Sequence, residues 1–496
     1  MRRLFLPAAV LLALAVVFAV GWATRPAASG VTVPAGQGAA VTSITRSCPP
    51  SAPGSGTARI SMVALPARAA AASSGSATST GAAKFSAVLA APAATGGANA
   101  AAKTKGTQPV TVSTPGAVTT VTAPGGGTAV AATGKMAEGF EAEQSDASGT
   151  GVVSCTHPGS DMWFVGTGQA AGASEVRLYL MNTGNLTASA DVTILTDTGL
   201  QSGLSSAITI GPNQSVAENI TPFVQGSQAL ALHVQTNTGQ VAASVWEGNG
   251  SGGAWLPQAN APATSLVIPG LTVASSAARL FVVVPGSTDA QLKVVAYTPA
   301  GAVTQFPGSP VDASAGAATP LALNSLGASA AGLRLTSNEP VVAGVLVPGA
   351  GIGSFTTAVP PITEQGVVAG NPGTRGVTVG LLLTAPSAAA RASISVISAD
   401  GSVTTPTGGQ SVTVAARHTL AVAVTRPSAG SRQPFAIVVT PQAGSGALYA
   451  VRVVTSGTGG LSAPLTSLLP VASAMTSITL PPAQNSYMAV LPSGTG

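Results

Sequence analysis

Three observations predict an all-β chain. Sustained 3.6-residue periodicity is almost absent from the 496 residues. In its place are short β-branched runs, alternating or continuous, bounded by Gly, Pro and Asn turns. The same cadence of runs returns at intervals of about 100 residues, the mark of degenerate repeated units.

The individual elements follow from these rules. Leu178–Asn182 ends at Thr183-Gly184, and Ala190–Thr196 runs into the acidic turn Asp197-Thr198-Gly199. Ala207–Ile210 stops at Gly211-Pro212-Asn213. Strands closed by a small residue or proline recur as Ile60–Pro66, Trp163–Gly166, Leu280–Pro285, Gly380–Pro386 and Met488–Pro492. A closing hairpin is expected at Val130–Gln144, Leu230–Trp246, Gly332–Val347 and Ala436–Val454. About seven short strands per unit suggest tandem Ig-like β-sandwiches. Like strands at both ends of the array leave a β-propeller, closed by the C-terminal strands, as the alternative. The expected organisation is an anchor or signal segment at 1–23 and a linker at 24–47, then four units. These are 48–155, 156–262, 263–365 and 366–496, the last carrying the closing strands. An Ala/Ser/Thr-rich insertion at 67–106 interrupts the first unit; only Lys84–Leu89 in it resembles a strand.

Compartment is read from the N-terminus. Arg2 and Arg3 precede the uncharged run Leu4–Trp22, which Arg25 follows. As a helix such a run rises about 28 Å, close to the hydrocarbon thickness of a bilayer. The expectation is a single-pass cell-membrane protein with its C-terminal bulk outside, or a secreted one where the segment is cleaved as a signal. Later apolar stretches are too short and too often broken by proline to span. Setting aside Arg2, Arg3 and Arg25, 17 basic residues face 15 acidic ones with no basic cluster, so nucleic acid is not an expected partner. Cys48 and Cys155, the two cysteines of the chain, are expected to pair in an oxidising compartment; two buried thiols are the other reading.

No motif names a reaction. The three histidines, His157, His233 and His418, fall in different regions, and neither a nucleophile elbow nor a zinc or phosphate motif accompanies them. The expectation is a non-enzyme without cofactor or metal. Glu138, Glu141, Glu143 and Asp146 form the densest acidic patch. Carboxylates alternating on one strand suit Ca²⁺, but more commonly make the solvated face of a half-buried strand, which is the expectation here. Trp246 and Trp255 flank the Gly-rich segment 248–253. Their functional reading is a glycan-stacking platform; their commoner role is packing.

The stretch Cys155-Thr156-His157-Pro158-Gly159-Ser160-Asp161-Met162-Trp163-Phe164-Val165-Gly166, together with Cys48-Pro49 and the Leu178-Tyr179-Leu180-Met181-Asn182 strand, resembles a family of uncharacterised secreted or membrane-anchored actinobacterial proteins. The resemblance implies an envelope location and carries no catalytic residues. The expected function is therefore a cell-envelope structural or interaction module whose partner is a cell-wall polymer or an envelope protein. Wall-glycan binding is the alternative, and a cryptic hydrolase the more distant one.

Overall fold

The computed structural model describes residues 37–480 apart from 66–79, 92–108, 125, 147–150, 203–206, 273–277, 304–309, 324–329, 350 and 428–431. The apolar run Leu4–Trp22 and the Met488–Pro492 strand lie outside the described residues. Among those described, strands are joined by turns and by 3-10 turns of three or four residues, so the fold is all-β. No described helix is long and apolar enough to cross a membrane. Two units are distinguished. One is represented by a ribbon in which Gln37–Ala40 pairs with Ser477–Leu480. The other, Ala40–Ser477, holds the remaining sheets.

Within Ala40–Ser477 the sheets come in pairs, and each pair shares one apolar cluster. In the second pair, Asp161–Thr167, Ala229–Thr238 and Ala188–Thr196 lie side by side in one sheet. Gly253–Leu256, Ala242–Gly248, Glu175–Asn182 and Gln214–Asn219 form the other. Phe164, Leu232 and Ile194 of the first sheet meet Leu178, Leu180 and Val245 of the second. Equivalent clusters join Phe85 and Val130 to Ile60 and Met62, Leu292 and Val294 to Leu280 and Val282, and Ile394 and Ile437 to Leu381 and Leu383. The strand order departs from the immunoglobulin arrangement. Asp161–Thr167, the first strand of the second pair, lies beside the penultimate long strand Ala229–Thr238, while the strand after that, Ala242–Gly248, has crossed to the other sheet.

That crossing corrects the closing hairpins. The arms of Leu230–Trp246 do not pair with each other: Leu230 to Gln235 bond to Asp161–Gly166 and Asp191–Thr196, and Ala242–Gly248 bonds to Glu175–Met181. In the third pair no turn intervenes at all. Ala330–Val347 is one strand of 18 residues, whose first half joins Ala263–Thr272 and whose second half joins Arg279–Val284. A turn between two apolar strands looks the same in sequence whether it reverses within a sheet or steps to the facing one. Two further expectations change. Ser43–Cys48, read as the end of a linker, is a strand paired throughout with Gly127–Thr133. Lys84–Leu89, the strand-like stretch of the Ala-rich tract, does lie in a strand, Ala83–Ala90, but that strand is no mere insertion: it is interior, bonded to Gly127–Thr133 and, in parallel, to Gln214–Asn219.

Sheet outer faces are covered as well as inner ones. Phe281 and Val283 point away from their own cluster into that of the second pair, while Leu280, Val282 and Val284 stay in the third. Leu382 likewise joins the third cluster and its neighbours Leu381 and Leu383 the fourth. Val367, Ala369 and Val438 of the fourth pair pack with Val63 and Leu65 of the first. The four pairs therefore contact one another in a closed cycle. The segment 472–476 completes it: Ala472–Ser473 pairs with Gly366–Asn371, and the Met475 and Thr476 carbonyls accept from Gly139 N at 3.0 Å and Val41 N at 3.2 Å. The repeating element of this cycle is a pair of sheets rather than a single propeller blade.

Candidate functional site

A partly open cavity of about 450 Å³ lies where all four sheet pairs meet. Its walls include Arg46 and Val153 from the first pair, Phe164, Ser244 and Trp255 from the second, Val359 from the third and Leu468 and Val471 from the fourth. The disulfide Cys48–Cys155, formed as expected, fixes one wall. Next to it Ser47 and Thr156 exchange backbone hydrogen bonds of 2.8 and 2.9 Å. Together these hold Cys155, Thr156, His157 and Pro158 at the cavity surface.

Three of the four carboxylates of the acidic patch have left solvent, and Asp146 is half-buried. Glu138, Glu141 and Glu143 are all buried, which overturns the solvated-face reading. The physical reason is two arginines that linear pattern does not connect with them. Arg46 ion-pairs with Glu141 and donates to the Phe140 carbonyl at 3.3 Å. Arg452, 309 residues further on, donates to Glu143 Oε1 at 2.7 Å, and Gly370 N donates to Glu143 Oε2 at 3.0 Å. Burial raises the Glu141 carboxyl to about 7 against the opposing charge of Arg46, with Glu143 adding to the rise. Burial also lowers the Arg46 guanidinium against the pull of Glu141. Among the described residues, no group of three or more His, Cys, Asp or Glu side chains is arranged to hold a metal ion.

The histidines lie apart. His157 lines the cavity, its Nδ1 3.2 Å from the Thr45 carbonyl. Burial, then the charge of Arg46, pushes it down to about 3 against that hydrogen bond, so the ring is neutral at physiological pH. His233 stacks on Trp163 with ring centroids 3.8 Å apart and sits 3.0 Å from Asp161 Oδ1. His418 Nδ1 lies 2.8 Å from the Ala416 carbonyl, in the fourth pair.

Trp246 and Trp255 are cross-strand partners, only 6 % and 5 % exposed, and pack with Tyr179 and Val153. Neither ring is presented on the loop tip; Trp255 instead lines the cavity. The glycines between them roof the Trp246 indole. A Cβ on Gly253 would lie 2.1 Å from its Cζ2 and 2.5 Å from the Glu247 carbonyl. Gly253→Ala is expected to cost about 1–3 kcal/mol by overpacking, read as a lower denaturant midpoint with a red shift of tryptophan emission.

Sequence reasoning also missed Glu247, whose single carboxylate inside an apolar strand run was the available signal. It is fully buried and accepts from Thr167 N at 3.0 Å and Thr167 Oγ1 at 2.8 Å. Burial raises it to about 8, although both Thr167 hydrogen bonds oppose the rise. Between its unfolded value near 4.5 and about 8, the folded chain keeps a proton that the unfolded chain has lost. Stability therefore falls as pH rises through that window. Glu247→Gln is expected to remove this fall, so that its stability relative to the parent chain improves from pH 5 to pH 9 in paired urea titrations.

No curated protein matches the chain, and no solved structure matches it. A family model does, over residues 110–425, a span that takes in most of the second, third and fourth sheet pairs. The chain belongs to that family, DUF5719, described as a family of unknown function.

Proposed function

We propose that this protein is an extracytoplasmic, membrane-tethered module of the cell envelope that acts by interaction rather than catalysis. The Cys48–Cys155 disulfide carries the reading, because such bonds persist in oxidising compartments. It stands downstream of an N-terminal segment with a charged start and an apolar core. The buried ionisable groups support the non-catalytic part: Arg46 is engaged with Glu141 within the first sheet pair, and Glu143 with Arg452 between the first and the fourth. We read the sheet pairs as sandwich modules, with an envelope protein or a wall polymer as partner. External protease on intact cells should digest the full-length chain, and crosslinking should capture an envelope protein or wall fragment. A chain that stays protected and fractionates with the cytosol would overturn the proposal.

Wall-glycan binding is the second reading. It is favoured by Trp255, which lines the cavity together with Gln258 and Asn260. Under it, saturable binding to purified wall fractions is lost in Trp255→Ala.

A further inference from the structure

The central cavity does not stand alone. A second, more open cavity of about 720 Å³ shares His157, Pro158 and Met475 with it, so the two chambers meet at those residues. Their chemistry differs. The inner chamber is walled largely by apolar groups, among them Met162, Phe164, Trp255, Leu468, Leu469 and Val471. The outer one presents Ser43, Thr45, Asn182, Thr183, Asn185 and Gln240, and among the described residues His157 is the one ionisable side chain that lines it. Sites of roughly 300–1,000 Å³ that are mostly apolar and carry a few convergent polar groups suit small-molecule ligands.

Ser244 is the second observation. Its strand, Ala242–Gly248, turns Ala243 and Val245 into the second cluster and presents Ser244 on the opposite face, the face of Trp246. Ser244 is one of the residues lining the inner chamber; its Oγ is buried and has no hydrogen-bond partner among the described residues. A buried hydroxyl without a partner carries a desolvation cost. An oxygen-bearing ligand in the inner chamber relieves it.

We propose that the two chambers form one binding site for an uncharged amphipathic molecule. A single hydrocarbon chain lies in the inner chamber, with a linking oxygen at Ser244, and a hydroxyl-rich head lies against the amides and hydroxyls of the outer chamber. Among the described ionisable side chains of the inner wall, Arg46 pairs with Glu141 and Asp161 lies 3.0 Å from His233, and among the described residues the outer lining provides no Lys or Arg to hold an anionic head. The site goes beyond the interaction reading above and does not depend on the tether.

The test uses the purified full-length chain and a monoacylglycerol carrying a diazirine at the far end of its acyl chain. After illumination, mass spectrometry locates the adducts. Labelling is expected to saturate and to fall on inner-chamber segments such as 468–471 or 255–259. Excess monomyristin should displace the probe, and glycerol or maltose should not. Each methylene added to an unlabelled competitor should tighten binding about fourfold while the chain still fits. Ser244→Ala removes no internal hydrogen bond, so the fold should survive while labelling weakens about two- to tenfold. Ser244→Leu, which fills the chamber, should abolish it. Adducts confined to other parts of the chain, labelling indifferent to Ser244→Ala and to monomyristin, or displacement by maltose alone would each overturn the proposal. The last result would instead assign the site to glycan. None of these outcomes bears on where the protein resides, so this site and the envelope reading can fail separately.

Discussion

Replacing Arg452 with methionine is expected to destabilise the protein by about 3–5 kcal/mol, the cost of leaving one partner of a buried ion pair uncompensated. The Arg452 guanidinium has no exposed surface; it donates to Glu143 at 2.7 Å and to Ser467 Oγ at 3.3 Å. It also joins the two ends of the cycle, since Glu143 lies in the first sheet pair and Arg452 in the fourth. Glu143→Gln should show a comparable loss, because it leaves the buried arginine charged and unbalanced. The double variant Glu143→Gln with Arg452→Met should recover part of the deficit, since neither charge then remains. Urea midpoints of the four proteins provide the measurement. Equal and additive losses would show that the two side chains act separately rather than as a pair.

The disulfide is the second large effect. Its cysteines are 107 residues apart, and closing a loop of that length restrains the unfolded chain by about 4–5 kcal/mol in the chain-entropy account. Thermal unfolding with and without reductant, alongside Cys48→Ser with Cys155→Ser, should show a loss approaching that figure. The structure adds a local consequence. Because the bond anchors Thr156–Gly159 along the cavity wall, amide exchange in that segment should accelerate ahead of the distant fourth sheet pair. A midpoint unchanged by reduction would mean that the strand Ser43–Cys48 is held by its pairing with Gly127–Thr133 alone.

How much was legible depended on whether a signal was local. Strand runs such as Leu178–Asn182 and Leu280–Val284 are visible because β-branched residues and turn formers mark them wherever they lie. The second of these runs held more information than alternation rules extract. Leu280, Phe281, Val282, Val283 and Val284 are apolar without a break, the pattern of a strand buried on both faces. That continuity accords with a chain of only 7 % charged residues, since sheets packed around one another leave little surface for charge. The acidic patch misled for the complementary reason. Carboxylates alternating on a strand look solvated, and nothing near Glu143 in sequence announces an arginine 309 residues away.

By itself, then, the linear pattern determined an all-β chain of repeating strand groups, a low and nearly balanced charge, a likeness to an uncharacterised family and the pairing of Cys48 with Cys155. Each rests on local propensity, on composition, or on there being only two cysteines to pair. Tertiary structure alone decided which arm of each turn crosses to the facing sheet, that Trp246 and Trp255 are buried, and that Glu141 and Glu143 meet Arg46 and Arg452. It alone also brought Ser244, His157 and Leu468 to one cavity. These depend on contacts between residues far apart in the chain, whose energies exist only once the sheet pairs have closed on one another.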